Sequence, residues 1–302
     1  MGGTAEGNLE ASDSLIEIGP GLKLRARQWE PTRATRAAPF LLVHGLASNA
    51  GLWDGVGRAL ASAGHPAVAV DLRGHGLSDK PDRGYDFESV GADLRDLVGC
   101  LDLERPLLVG QSWGASVVLE TAILYPELSR GVVLVDGHLV DLSGEFPSWE
   151  ECWKILTPPP STGLPKDKME RWHRIQHPDW SDEAIEGALG NFEIRPDGTV
   201  APWLALGNHE QIVRSMWDER IAEAWPKVGV PVLIVPVDGN DRLRTESKRA
   251  GAAAAVAALR DRQVPVQVSW FKGDHDIHAQ HPLELANVLL EACRSGIFAG
   301  AV

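Results

Sequence analysis

The stretch Gly110-Gln111-Ser112-Trp113-Gly114 sets a serine hydroxyl between two glycines, directly after the apolar run Pro106-Leu107-Leu108-Val109. In a G-x-S-x-G of this kind the glycines let neighbouring backbone approach closely enough to complete a strained strand-to-helix turn, which leaves the hydroxyl exposed above a sheet edge. A chain with 31 glycines produces the bare pattern by chance, so context carries the weight. Here a strand-like run precedes the motif and Ala115 to Leu124 reads as a buried helix, so strand, turn and helix are all in place.

A serine hydroxyl is a weak nucleophile near neutral pH. It needs a general base, an acid that orients the base, and donors aimed at the developing oxyanion. The base candidate is His275, which follows the strand-like run Val266 to Phe271 and precedes the last helical pattern, at the same sheet edge as Ser112. His278 and His281 compete for that role. The cysteines do not: Cys100, Cys152 and Cys293 are odd in number and widely spaced, in no metal-ligand or redox pattern, and read as reduced core thiols. His173 and His177 stand four apart, as helix-borne metal ligands can, but no third ligand of suitable spacing joins them. No metal or other cofactor is expected.

The elements that must position these groups follow from hydrophobic patterning. Ser14 to Ile18 and Leu22 to Arg27 alternate as half-buried strands around a Gly-Pro-Gly turn, an N-terminal hairpin after a leader of residues 1–12 expected to be disordered. From Pro39 onward, continuous apolar runs at 40–43, 67–70, 107–109 and 132–135 alternate with helical patterns at 53–63, 87–101 and 113–124. Such strands are buried on both faces, which predicts an α/β fold: a mostly parallel sheet, flanked by helices and joined by right-handed crossovers. The rhythm stops after Asp136 and resumes at Val230 to Val235, followed by an Ala-rich helix around Lys248 to Leu259. The interval 139–225 shows amphipathic helical stretches and no strand-like run, so it is expected to be a helical cap inserted after the sixth strand, between core segments 1–138 and 226–302. Seven of the eleven tryptophans fall in it, enough both to build the cap's own core and to line an aromatic-friendly pocket.

Composition narrows the partners. With 29 Lys+Arg against 42 Asp+Glu the net charge is −13, which repels phosphate backbones and anionic bilayers. Nucleic acid and membrane are therefore not expected partners, whereas a small-molecule substrate is, and a homo-oligomer is compatible with the sequence. The N-terminus lacks the basic start and apolar core of a signal peptide, and no run approaches about 18 apolar residues, so a cytoplasmic location is expected.

Four segments together resemble the capped α/β-hydrolase family: Leu42-Val43-His44-Gly45-Leu46-Ala47-Ser48, Asp71-Leu72-Arg73-Gly74-His75-Gly76-Leu77-Ser78, the Ser112 motif, and Gly273 to Pro282. They occur in the family's order and cover nearly the whole chain outside the cap. The resemblance implies an α/β-hydrolase fold and an esterase- or lactonase-like serine hydrolase that needs no cofactor. It places the oxyanion-hole N–H groups on Leu46, after His-Gly, and on Trp113, after the nucleophile. His44 and the loop Arg73 to Ser78 read as turn-packing residues.

The acid is where the chain departs from the family pattern. In most relatives it follows the seventh strand in a Gly-x-x-Asp type of turn. Here Val235-Pro236-Val237-Asp238-Gly239-Asn240-Asp241-Arg242 puts Asn240 in that register, with Asp241 and Asp238 displaced from it. The family's other location is the end of the sixth strand, where Asp136 stands 24 residues after Ser112. Asp136 is placed first and Asp241 second. Serine at 112 instead of aspartate separates the chain from haloalkane dehalogenases and epoxide hydrolases of this fold, and points to acyl transfer from a small apolar or aromatic ester or lactone. The same triad also fits proline iminopeptidases, which carry a similar Ser-Trp-Gly, carbon–carbon bond hydrolases and perhydrolases, and some capped members are low-turnover receptors. An amine anchor would require carboxylates facing Ser112, with Glu150, Glu151 and Glu210 as cap candidates.

Overall fold

The computed structural model describes residues 9–19, 21–33, 36–239 and 242–298, without the side chains of 242, 243 and 295. Its strands are β1 (Ser12–Gly19), β2 (Leu22–Trp29), β3 (Phe40–Val43), β4 (Ala67–Val70), β5 (Leu107–Gln111), β6 (Gly131–Val135), β7 (Phe192–Ile194), β8 (Val200–Pro202), β9 (Val232–Val235), β10 (Val237–Asp238), β11 (Val266–Val268) and β12 (Phe271–Lys272). Eight form the main sheet in the order β1-β2-β4-β3-β5-β6-β9-β11. The β1–β2 hairpin joins β4 antiparallel, and the five remaining pairings are parallel, so the expected mostly parallel sheet holds.

Alternation along each central strand sorts the core into two layers. Leu41, Val43, Val68, Val70, Leu108, Val132, Leu134, Val232 and Ile234 feed one apolar cluster. Their neighbours Phe40, Leu42, Ala67, Ala69, Leu107, Val109, Val133, Val135, Leu233 and Val235 feed the other. Both faces are covered by helices, as a sheet of continuous apolar strands requires. The helices are α1 (Asp54–Ser62), α2 (Phe87–Cys100), α3 (Trp113–Leu124), α4 (Leu142–Glu145), α5 (Trp149–Leu156), α6 (Lys166–Gln176), α7 (Asp182–Leu189), α8 (Leu206–Asp218), α9 (Ile221–Ala224), α10 (Arg242–Asp261), α11 (Ile277–Gln280) and α12 (Pro282–Ser295). Helix α3 is buried on nearly every side, because its sequence carries no polar stripe. Among the described residues no helix is long and apolar enough to cross a membrane.

Three local expectations are corrected. Residues 1–8 lie outside the described residues, but Leu9 and Ala11 pack against the core and β1 begins at Ser12, so positions 9–12 of the expected leader are structured. The single strand expected over Val266 to Phe271 is broken after Val268: Pro236 ends β9 without an N–H to donate, and Phe271 restarts pairing beyond it, where β12 runs parallel to β10. The interval between β6 and β9 is not purely helical. Besides α4 to α9 it holds the β7–β8 hairpin, turned at Asp197-Gly198, where Asp197 accepts from the Thr199 N–H and hydroxyl. Three-residue strands are too short to establish an alternation that a sequence pattern can register.

Candidate active site

Ser112 sits between the end of β5 and the start of α3 with φ 55° and ψ −122°, a left-handed conformation that costs an L residue about 1–3 kcal/mol. The surroundings hold it there. The Ser112 N–H donates to Val135 O at 2.9 Å, across the strand pair β5–β6. A Cβ at Gly110 would run into the Gly114 carbonyl, and one at Gly114 into the carbonyls of Val43 and His44, so both flanking glycines are needed for close approach. Gly45 likewise lies against Ser112, where an added Cβ would stand 2.9 Å from the serine Cβ. Leu46 therefore follows a residue packed against Ser112. Trp113 is the first residue of α3, so its N–H is one of those without an intrahelical acceptor, at the positive end of the helix.

His275 and Asp136 meet although 139 residues separate them. Nδ1 of His275 lies 2.7 Å from Asp136 Oδ2, and because a carboxylate only accepts, Nδ1 carries the proton. Asp136 follows β6 with φ 46°, its side chain fully buried, and accepts a further bond from the Val237 N–H at 2.9 Å. Lys248 of α10 places its ammonium 2.7 Å from Oδ1 and 2.9 Å from Oδ2 while donating to Val237 O. Burial alone would raise the carboxyl pKa, but the hydrogen bond and charge of His275, with the charge of Lys248, outweigh it and hold Asp136 below its ordinary value. Ser112, Asp136 and His275 line one cavity of about 90 Å³. Among the described residues no hydrogen bond joins the Ser112 hydroxyl to His275, a looseness common before substrate tightens such a site.

The competing candidates among the described residues make other contacts. His278 is fully buried with its ring 4.4 Å from that of Trp53, and His281 faces Glu284 at 3.8 Å. Asp238 is engaged by Arg249 at 3.2 Å. Asn240 and Asp241 lie outside the described residues. Glu150 and Glu151 are exposed on α5 and Glu210 borders an outer groove, whereas the carboxylates on the Ser112 cavity, besides Asp136, are Glu145 and Glu219. Among the described residues no group of three or more His, Cys, Asp and Glu is arranged to hold a metal ion.

Several further residues support the site. His44 donates from Nδ1 to Gly45 O at 2.7 Å and accepts the Leu72 N–H on Nε2 at 3.0 Å, and His75 bridges Arg73 O to the Ala47 N–H in the same way. Each joins the Leu46 loop to the loop after β4, which is the turn packing expected of His44. Burial pushes these imidazoles down to about 4 and about 3, so they stay neutral and keep one donor and one acceptor each. From the other side the segment between α6 and α7 grips Asp274, next to His275: Trp180 Nε1 donates at 3.0 Å and His177 Nδ1 stands 3.1 Å from the same oxygen. Gln111 Nε2 holds the His275 carbonyl at 3.0 Å. Of the seven tryptophans in 139–225, Trp172 and Trp203 line an apolar cavity of about 330 Å³ that begins at Ala47 and His75, while Trp225 is core and Trp149, Trp153 and Trp217 pack on one another.

Comparisons with known proteins give the family. Residues 40–288 match the model of the alpha/beta hydrolase family, and the chain belongs to that family. The 2-(acetamidomethylene)succinate hydrolase of Mesorhizobium japonicum is 38% identical over 251 residues, 80% of this chain and 83% of that protein. A crystal structure of E-2-(acetamidomethylene)succinate hydrolase superposes with a TM-score of 0.73 at 25% identity, covering 93% of this chain and 98% of the other. The thioesterase domain from the curacin biosynthetic pathway, at TM-score 0.72 and 19% identity, covers 93% of this chain and 99% of its own, and shares the fold. An uncharacterised Mycobacterium tuberculosis protein is 36% identical over 127 residues, 40% of this chain, and the match spans only 37% of that relative's length.

Proposed function

We propose that this member of the alpha/beta hydrolase family is a serine hydrolase that cleaves a carboxylic ester or lactone through an acyl-enzyme, with Ser112 as nucleophile, His275 as base and Asp136 as acid. The observation that carries the reading is the 2.7 Å contact between His275 Nδ1 and Asp136 on a cavity that Ser112 also lines. With its proton fixed on Nδ1, His275 has Nε2 available to accept the Ser112 proton as the oxygen attacks the carbonyl. The N–H groups of Leu46 and Trp113 receive the oxyanion, each such donor being worth about 3–4 kcal/mol of barrier. His275 then returns the proton to the leaving oxygen, and deprotonates the water that clears the acyl group. Lys248 keeps Asp136 ionised. An apolar or aromatic leaving group has room in the cavity that starts at Ala47, beside Leu46.

A second reading is favoured by the 38% identical relative, whose substrate by name is 2-(acetamidomethylene)succinate. The same residues would then attack an amide-type carbonyl.

Hydrolysis of p-nitrophenyl esters, aryl lactones and aryl amides by wild type, Ser112→Ala and Asp136→Asn tests both readings. Ser112→Ala should abolish turnover, and Asp136→Asn should lower kcat by about 10⁴, the scale seen when a triad histidine is left in the wrong tautomer. Equal inertness of wild type and Ser112→Ala across the panel would refute the acyl-transfer reading. Normal turnover by Asp136→Asn would remove Asp136 from the mechanism.

A further inference from the structure

The apolar cavity that begins at Ala47 has a size and a charge pattern that the proposed chemistry leaves unused. Its volume is about 330 Å³, whereas about 150 Å³ suffices to hold one benzene ring. Close packing closes voids of that size in an ordinary core. Here the wall resists collapse. Pro158-Pro159-Pro160 has its φ angles fixed by the pyrrolidine rings, and Trp203 lies 4.5 Å from the Lys80 ammonium, which is itself held by the carbonyls of Gly76 and Ser78. Leu164, Met169, Phe192 and Leu204 supply the rest of the apolar surface. The lining also reaches the proposed oxyanion loops: Ala47 follows Leu46, its N–H donates to His75 Nε2 at 3.2 Å, and the His75 ring stacks on that of Trp113 at 5.6 Å.

The charge on this wall has one sign. Burial pushes His75 down to about 3 and lowers His209, so both rings are neutral and Lys168 is the charged residue of the lining. It stands on α6 one turn before Trp172, and since Lys168 is exposed and Trp172 is 48% exposed, the two sit where the cavity meets solvent. The other charged side chains of that helix are paired: Lys166 with Glu186 at 3.9 Å, Asp167 with Arg171 at 2.7 Å, Glu170 with Arg174 at 3.0 Å, and Arg174 with Asp182 at 2.7 Å. Among the described residues Lys168 has no ion-pair partner. A flat apolar body of two rings matches the volume and the indole faces, and an anionic group at its solvent end would meet an unpaired ammonium.

We propose that this cavity binds a two-ring aromatic group carrying a carboxylate, with the rings against Trp172 and Trp203 and the carboxylate on Lys168, as the part of the substrate remote from the scissile bond. The inference rests on the serine-hydrolase reading for that bond; the binding of the rings and the carboxylate does not depend on it.

The test separates binding from turnover. Calorimetric titration of the full chain uses 2-naphthoate, the neutral 2-acetonaphthone, 2-naphthylmethylammonium and benzoate. 2-Naphthoate should bind about fivefold more tightly than 2-acetonaphthone, the upper end for an exposed ion pair, and the ammonium should bind most weakly of the three naphthyl probes. It should also bind about tenfold more tightly than benzoate, from the second ring. At about 1 M NaCl the carboxylate preference should vanish and the ring preference remain. Lys168→Gln should equalise 2-naphthoate and 2-acetonaphthone without changing the Kd of the latter, whereas Trp172→Ala should weaken both. The proposal is overturned by 2-acetonaphthone, the ammonium or benzoate binding as tightly as 2-naphthoate, by a carboxylate preference that survives in Lys168→Gln, or by affinities unchanged in Trp172→Ala. If Trp172→Ala does not fold, the wild-type series and Lys168→Gln decide. In hydrolysis, 6-carboxy-2-naphthyl acetate should show a KM about fivefold below that of 2-naphthyl acetate in wild type and an equal KM in Lys168→Gln; equal KM values in wild type overturn the assignment of this group to the substrate. Expected binding with neither acetate turned over means that the hydrolase reading has failed and the site stands, whereas turnover of both acetates without binding of 2-naphthoate means the reverse.

Discussion

Acidification should destabilise this protein steeply, and the structure fixes the slope. Burial pushes His44 and His173 down to about 4, and His75 and His278 to about 3, whereas an unfolded histidine titrates near 6.5. Below pH 6.5 the unfolded chain binds protons on these rings that the folded chain does not. Stability is thus whole above pH 6.5 and is lost as pH falls toward the folded values. Each ring contributes about 1.4 kcal/mol per pH unit in that window, and the four together about 5 kcal/mol, comparable with a third or more of a typical domain's total stability of about 5–15 kcal/mol. The assay is the urea midpoint, followed by tryptophan fluorescence, at pH 7.5, 6.5 and 5.5. His278→Phe isolates one ring, because both its nitrogens lack partners among the described residues and its contact is the face of Trp53. The variant should lose about a quarter of the slope between pH 6.5 and 5.5. Equal stability at pH 7.5 and 5.5, or a His278→Phe slope identical to wild type, would refute the reasoning.

Lys248→Gln removes the ammonium beside Asp136, so burial regains influence, the carboxyl pKa rises, and the acid limb of the kcat/KM profile moves to higher pH; an unmoved limb contradicts the assigned role. Trp180→Phe keeps the apolar ring but deletes the donor to Asp274, and should lower kcat severalfold at nearly constant Tm, measured with a small ester that does not reach the apolar cavity lined by Trp172 and Trp203; unchanged kcat would mean the contact does not position His275.

The legible part of the site was its local part. The Ser112 turn, the Leu46 loop and the His275 segment are each written in one short stretch, because close-packed glycines and strand ends leave composition signals within a few residues. The proposed acid was legible only as alternatives, since the choice depends on which turn reaches His275 across 139 residues, and Asp136 owes its position to β6 pairing with β9 at Val135–Val235. Lys248 carried no signal at all: a lone lysine at the start of an Ala-rich helix reads as solvated, and only the packing of α10 on the turn after β6 turns it inward. Glu219 was passed over for Glu150, Glu151 and Glu210 because helical periodicity orients a face and not a direction toward Ser112. The β7–β8 hairpin was missed because its strands are shorter than one alternation.

Asp274 links the interval 139–225 to the residue beside His275 through Trp180 and His177, while Gln280 ties the same stretch to Asp179 at 2.6 Å. A molecule that reaches Ser112 by lifting this segment must first break bonds that orient the proposed base. Entry by that route and bracing of the proposed base would therefore exclude one another, so the same three contacts that steady the imidazole also close one way in.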